Sequence, residues 1–285
     1  MLYVPSTADF QAVLYGPAAV RPASAIGTTV TPGNNTKGSY AQLISGASLT
    51  NDVYGILLNF NNNFLATASR STICDIGYDP AGGTSYTILI ADLLASCAGT
   101  LCADREANGG INYYFPLFIK SGTSIGCAAS VNNATVGTLR CQATFYCKPK
   151  HPESVKVGSY VESLGVTAAS SSGTAVTAGG ASEGSWTSLG TTTKPAWWFQ
   201  AGHSTDVLIA SNLGYYIDLS AGAAGGEKLL EENTLVRVNN TDDSMGKVLS
   251  IPLGGEVPSG TEIWGRAQCS GTGETASMMA YALGG

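Results

Sequence analysis

Hydrophobic and polar positions along the chain fall into short runs rather than long periodic stretches. YGILLNF (54–60), YTILIADLL (86–94), NYYFPLFI (112–119), TSIGCAASV (123–131) and LRCQATFYC (139–147) are rich in β-branched and aromatic residues. Each is bounded by Gly, Asn, Ser or Pro, and such runs predict strands separated by turns. The second half repeats the pattern in AWWFQA (196–201), GYYIDLS (214–220), TLVRVNN (234–240), KVLSIPL (247–253), TEIWGRAQC (261–269) and ASMMAYAL (276–283). One segment, GEKLLEENTLVRV (226–238), could carry a helical turn, but its counterpart in the first half reads as strand.

That word counterpart is literal, because the chain is written twice. GTTVTPGNNTKGSYAQL (27–43) aligns without gaps to GTAVTAGGASEGSWTSL (173–189), with Tyr40 replaced by Trp186. CDIGYDPAGG (74–83) returns as IDLSAGAAGG (217–226), FPL (115–117) as IPL (251–253), and SGTSI (121–125) as SGTEI (259–263). Gly- and Ser-rich chains match themselves by accident, but accidental matches rarely keep their order, so the repeat is a tandem duplication. The predicted organisation is an N-terminal extension (1–19), a first β-sandwich (20–147), a linker (148–157) and a second sandwich (158–285). The fold class is all-β, as two tandem, homologous, jelly-roll-like sandwiches.

Composition narrows the function. Only 12% of the 285 residues are charged, the formal net charge is −6, and no basic stripe exists. Sequence-independent nucleic-acid binding is therefore not expected. MLYVPSTADF lacks the pattern of a secretory signal, and the longest apolar run is broken by Asp92, so membrane insertion is not expected either.

No motif demands chemistry. GTGETA (271–276) matches a dinucleotide-binding glycine pattern but lacks the helix that would face a pyrophosphate, and reads as a hairpin. Of the seven cysteines, six lie in the first copy, and Ile217 stands opposite Cys74. Buried free thiols are the simplest reading, with a local Cys97–Cys102 disulfide open under oxidising conditions. His203 lies in AGHSTD beside Ser204, but a triad is assembled in space, not from neighbours in sequence. No catalytic residue, metal site or cofactor is assigned. Asp75 and Asp218 are the acidic pair shared by both copies, and backbone N–H groups near a glycine-rich turn are their expected partners. Pro116 and Pro252 belong at sheet edges or strand ends, and Gly122 and Gly260 in tight turns leading to Ile125 and Ile263. All four tryptophans lie in the second copy. Trp197 and Trp198 should point to opposite faces of a strand, so Trp197, Trp198, Trp264 and His203 are candidate interface or glycan contacts.

The ordered phrases G-T-x-V-T-x-G, G-S-[YW]-x-x-L, D-[IL]-x-x-x-x-A-G-G and [FI]-P-L with S-G-T-x-I resemble a family of virion structural proteins of tailed bacteriophages. EVPSGTEIWGRAQ is similar to that family's closing [IV]-P-x-G-T-x-I-x-x-R-x-Q, including Pro258, Gly260, Thr261, Ile263, Arg266 and Gln268. The first copy departs from it with Lys120, Ala128 and Ser130. The resemblance implies a non-enzymatic virion component of tail, fibre or head surface. It would be assembled in the host cytoplasm, and its partners would be copies of itself, as a trimer or ring, and other virion proteins. A glycan-binding adhesin is the alternative, and a depolymerase the weakest reading.

Overall fold

A computed structural model describes residues 9–16, 27–63, 70–98, 111–131, 138–151, 155–166, 173–204, 213–238, 247–271 and 274–285. The first copy contributes β1 (Phe10–Gly16), β2 (Thr28–Val30), β3 (Gly33–Asn34), β4 (Ala41–Ile44), β5 (Val53–Asn63), β6 (Arg70–Asp79), β7 (Thr87–Ala98), β8 (Ile111–Phe115), β9 (Ser124–Val131) and β10 (Thr138–Pro149). The second contributes β11 (Tyr160–Leu164), β12 (Thr174–Thr177), β13 (Thr187–Thr191), β14 (Ala196–Ser204), β15 (Leu213–Ala221), β16 (Lys228–Val238), β17 (Lys247–Val257), β18 (Glu262–Cys269) and β19 (Thr275–Gly284). The segment 226–238 is strand, as its counterpart implied.

In the first copy one sheet has the order β1-β10-β5-β8, with β2 also on β10, and the other the order β3-β9-β6-β7, with β4 also on β9. From β4 onward the chain crosses between sheets at almost every step, and only β6 and β7 are consecutive neighbours. That is the two-sheet jelly roll. The second copy reproduces it as β11-β19-β14-β17, with β12 on β19, opposite β13-β18-β15-β16, and with the counterpart of β3 reduced to an isolated bridge. Even a minor detail is kept. Gly33 pairs in parallel with Ser130, and Gly179 with Gln268.

Two boundaries shift. Residues 10–16, expected as an extension, form β1, which pairs with β10 from Phe10↔Pro149 to Gly16↔Ala143. The reason lies in β10, which runs past the three residues of β2; without β1 that part of its edge would be left open. Lys148 and Pro149, expected in the linker, close β10.

The repeated glycines mark backbone constraints. Gly122 and Gly260 have φ of +83° and +81° with open space where a Cβ would stand, so it is the left-handed conformation that selects glycine there. Gly33 and Gly179 are instead held by close approach: a Cβ would meet the Thr36 carbonyl oxygen at 2.3 Å or that of Ser182 at 2.1 Å. Ile125 and Ile263, just after the SGT turns, are fully buried. Pro116 follows β8 and Pro252 lies in β17, the two edge strands of the equivalent sheets.

Candidate functional site

Asp75 and Asp218 are buried, and each reaches across to the next strand. Cys74 pairs with Leu93 and Ile76 with Ile90, so Asp75 faces two residues, Ala91 and Asp92. Likewise Ile217 pairs with Thr234 and Leu219 with Glu231, leaving Glu232 and Asn233 opposite Asp218. Both are β-bulges, and Asp92 and Asn233 adopt φ of 53–54° within them, a conformation these residue types tolerate. The Asp75 Oδ1 accepts the Asp92 N–H at 2.9 Å, and the Asp218 Oδ1 accepts the Asn233 N–H at 2.6 Å. The carboxylates therefore satisfy a strand rather than the glycine-rich turn that follows them. In the first copy that turn is held by Asp79, which accepts the N–H groups of Ala81 and Ser85 at 2.9 Å each.

A cation completes each cluster, but from a different place. In the first copy Lys37 donates to Asp75 and, at 2.8 Å, to Asp92. The position equivalent to Lys37 in the second copy is Glu183. There the cation is Arg266, which stands where the first copy has Ala128, bonds Asp218 at 2.7 Å, pairs with Glu183, and lies 4.3 Å from the Trp186 ring centre. Burial pulls the Lys37 pKa down, but hydrogen bonds and charge from Asp75 and Asp92 outweigh it and leave it raised. Burial and the Asp218 charge raise Glu183 against the pull of Arg266. Burial, then Asp75, pushes the neighbouring Tyr40 up to about 12. Gln268 donates to the Gly180 carbonyl at 3.2 Å. The Arg and Gln of the closing motif thus both anchor the loop between β12 and β13.

The predicted aromatic platform is a seam between the two sandwiches. Trp197, Trp198 and His203, candidates for interface or glycan contact, are all buried within the chain. Between Ala196 and Trp198 the β17 register jumps from Val257 to Pro252. This irregularity breaks the alternation that should have sent the two indoles to opposite faces, and both join the first sandwich's core cluster. Trp198 meets Tyr114 edge-on with ring centres 6.3 Å apart, and Lys156 sits 4.5 Å over Trp197. His203 faces the other way, into the second core, 5.5 Å from the Tyr215 ring. Ser204 has only its backbone described, in β14, and Asp206 lies outside the described residues.

Three residues missed in the sequence complete the seam. On β19, Met278, Ala280 and Ala282 pack in the second core while Met279, Tyr281 and Leu283 belong to the first. The Tyr281 hydroxyl accepts the Leu94 N–H at 2.8 Å and donates to the Asp92 carbonyl at 3.0 Å. Gln200 donates to the Tyr114 carbonyl and Ser163 to that of Ala91. Tyr281 and Ser163 thus satisfy the open edge of β7, and Gln200 that of β8, where buried backbone atoms would otherwise be left unpaired. The sequence signal is the unbroken apolar run MMAYAL (278–283), which marks a strand buried on both faces.

Trp264 is half-buried, and its indole N–H donates to the Gly222 carbonyl at 2.8 Å. The first copy fills the equivalent space differently: a Cβ on Gly126 would meet the Tyr86 ring at 2.8 Å. The tryptophan therefore substitutes for an aromatic supplied by another strand.

Cys74, Cys127, Cys141, Cys147 and Cys269 are buried free thiols. Hydrogen bonds from Cys141 and Cys74 lower Cys127 to about 5, whereas burial pushes those two partners up. The Cys97 side chain and Cys102 lie outside the described residues. Among the described residues no group of three His, Cys, Asp or Glu side chains is placed to hold a metal ion, and no helix is long and apolar enough to cross a membrane. GTGETA leads from β18 into β19, where a dinucleotide site would need a helix.

No protein-family profile matches the chain, and no curated protein does. Among solved structures, it is similar to a chain of the Broad Bean Stain Virus cryo-EM structure at 10% identity and a TM-score of 0.35, covering 100% of this chain and 91% of that one. It is similar to the STIV MCP at 8% identity and a TM-score of 0.37, covering 95% and 96%. It is also similar to the tandem CBM22 domains of Paenibacillus barcinonensis Xyn10C at 9% identity and a TM-score of 0.28, covering 94% and 91%. Scores at this level carry no argument about what the chain does.

Proposed function

We propose that this chain is a non-enzymatic virion structural protein that works by assembling with copies of itself and with other virion proteins. The observation that carries the reading is the seam. Its conspicuous aromatic and polar groups are spent on fusing two jelly rolls into one block, with Trp198, Gln200 and Tyr281 buried against β7 and β8. Jelly rolls serve as capsid, lectin and cupin domains. Fold does not decide among these; the site must. A lectin reading needs exposed rings, and of its proposed contacts only Trp264 retains partial exposure. The repeat phrases and the closing EVPSGTEIWGRAQ favour a bacteriophage particle, on its tail, fibre or head surface, assembled as a trimer or ring.

Gold-labelled antibody against the purified protein, applied to intact particles, tests this. Regular labelling of head or tail is expected. Bare particles, with the protein free in the lysate, would end the virion reading.

A further inference from the structure

The two sandwiches share one strand order, yet their equivalent edges are not equally covered. The cross-strand pair Ile73↔Leu94 on β6 and β7 corresponds to Tyr216↔Leu235 on β15 and β16, each being placed by the neighbouring bulge. Ile73 is 1% exposed and Leu94 0%, whereas Tyr216 is 43% exposed and Leu235 52%. Leu94 lies in the seam, with its N–H on the Tyr281 hydroxyl. Toward the start of the same strands the copies agree, with Ile88 54% and Leu229 46% exposed. The difference is therefore confined to the part of the edge where, in the first copy, the second sandwich docks.

We propose that the β15–β16 edge is the docking surface for a second copy of this chain. The arriving copy presents the outer face of its β1-β10-β5 sheet. This deepens the assembly reading above and rests on it. The interaction repeats between chains what the seam does within one, because the arriving face is equivalent to the one by which the second sandwich covers the first. Pairing registers place Val13 where Val161 stands and Leu57 where Gln200 stands, beside Tyr146, which is itself buried within its own chain. Val13 and Leu57 are only partly buried. The charges are complementary. Glu231 and Glu232 lie on the β16 edge, and Arg140 and Lys148 lie on β10 of the arriving sheet, a distribution that steers and orients association. Face and edge are different surfaces, so the contact is heterologous, and each chain offers one of each. Successive copies then form a ring where the rotation between them closes and a filament where it does not; the ring is the form proposed.

Sedimentation of the purified full-length chain tests this with Leu235→Glu and, as control, Ile88→Glu on the first copy's β7, outside the seam. Wild type and Ile88→Glu should sediment as the same closed oligomer. Leu235→Glu should lose it and run as a monomer that still unfolds cooperatively. Should Leu235→Glu fail to fold, Tyr216→Lys reads the same surface from the adjacent strand. If both surface variants assemble as wild type does, or Ile88→Glu dissociates like Leu235→Glu, the docking is overturned while the assembly reading stands. A monomeric wild type overturns both.

Discussion

Asp75 and Asp218 hold the same station in the two sandwiches, each taking the N–H of a left-handed residue in the next strand, but they are neutralised from opposite sides. Lys37 does this in the first copy; Arg266 does it in the second, where Glu183 occupies the place of Lys37. The two copies have kept one cation between two acceptors or acids while moving it from a loop to a strand.

The relocation makes the cluster testable. Asp218→Ala leaves Arg266 beside Trp186 with half its partners and the Asn233 N–H without its carboxylate. Removing one partner of a buried charged pair costs about 3 kcal/mol, and denaturant unfolding should register a loss of that order. In the first copy Lys37→Glu should destabilise similarly, and adding Ala128→Arg should recover part of the loss by recreating the second copy's arrangement. Additive losses in that double variant would show that the two clusters are not interchangeable.

Lys37 also sets an alkaline limit. Its pKa is raised in the folded chain above the ordinary 10.5, so the charged form is favoured by folding. The stability it contributes is complete below 10.5 and disappears as pH climbs through the higher folded value. Thermal melts of wild type and Lys37→Met across the alkaline range should therefore converge at the top. A constant gap would mean that Lys37 contributes by packing alone.

Much of the fold is legible in the sequence because the chain states it twice. Paired phrases locate the turns, and the φ angles of Gly122 and Gly260 show why glycine recurs in them. The strand reading of 226–238 rests on its counterpart and on the run TLVRV at its end. What stayed hidden depends on one strand meeting something outside its own sandwich. Alternation predicts that Trp197 and Trp198 diverge; only the register jump against β17 turns both toward the first core. Trp264 stands where the first copy has Gly126, and the space it fills is served there by Tyr86, from a position the pairwise alignment does not connect. Lys37 was invisible as a partner of Asp75, since its repeat equivalent carries the opposite charge.

Thiol accessibility separates structural from reactive cysteines. Cys74, Cys127, Cys141, Cys147 and Cys269 are all buried. Site-resolved alkylation should leave these positions unmodified in the native protein and modify all of them on unfolding. Rapid native labelling of Cys127, whose pKa hydrogen bonds from Cys141 and Cys74 lower, would show that its neighbours open to solvent.

The seam makes the two sandwiches one unit. Differential scanning calorimetry reads this most directly. The full-length chain should unfold in one transition, with calorimetric and van't Hoff enthalpies equal. Trp198→Ala, which empties the contact with Tyr114 and is expected to cost about 3–5 kcal/mol, should lower or split that transition. Two independent transitions in the wild-type protein would contradict the claim.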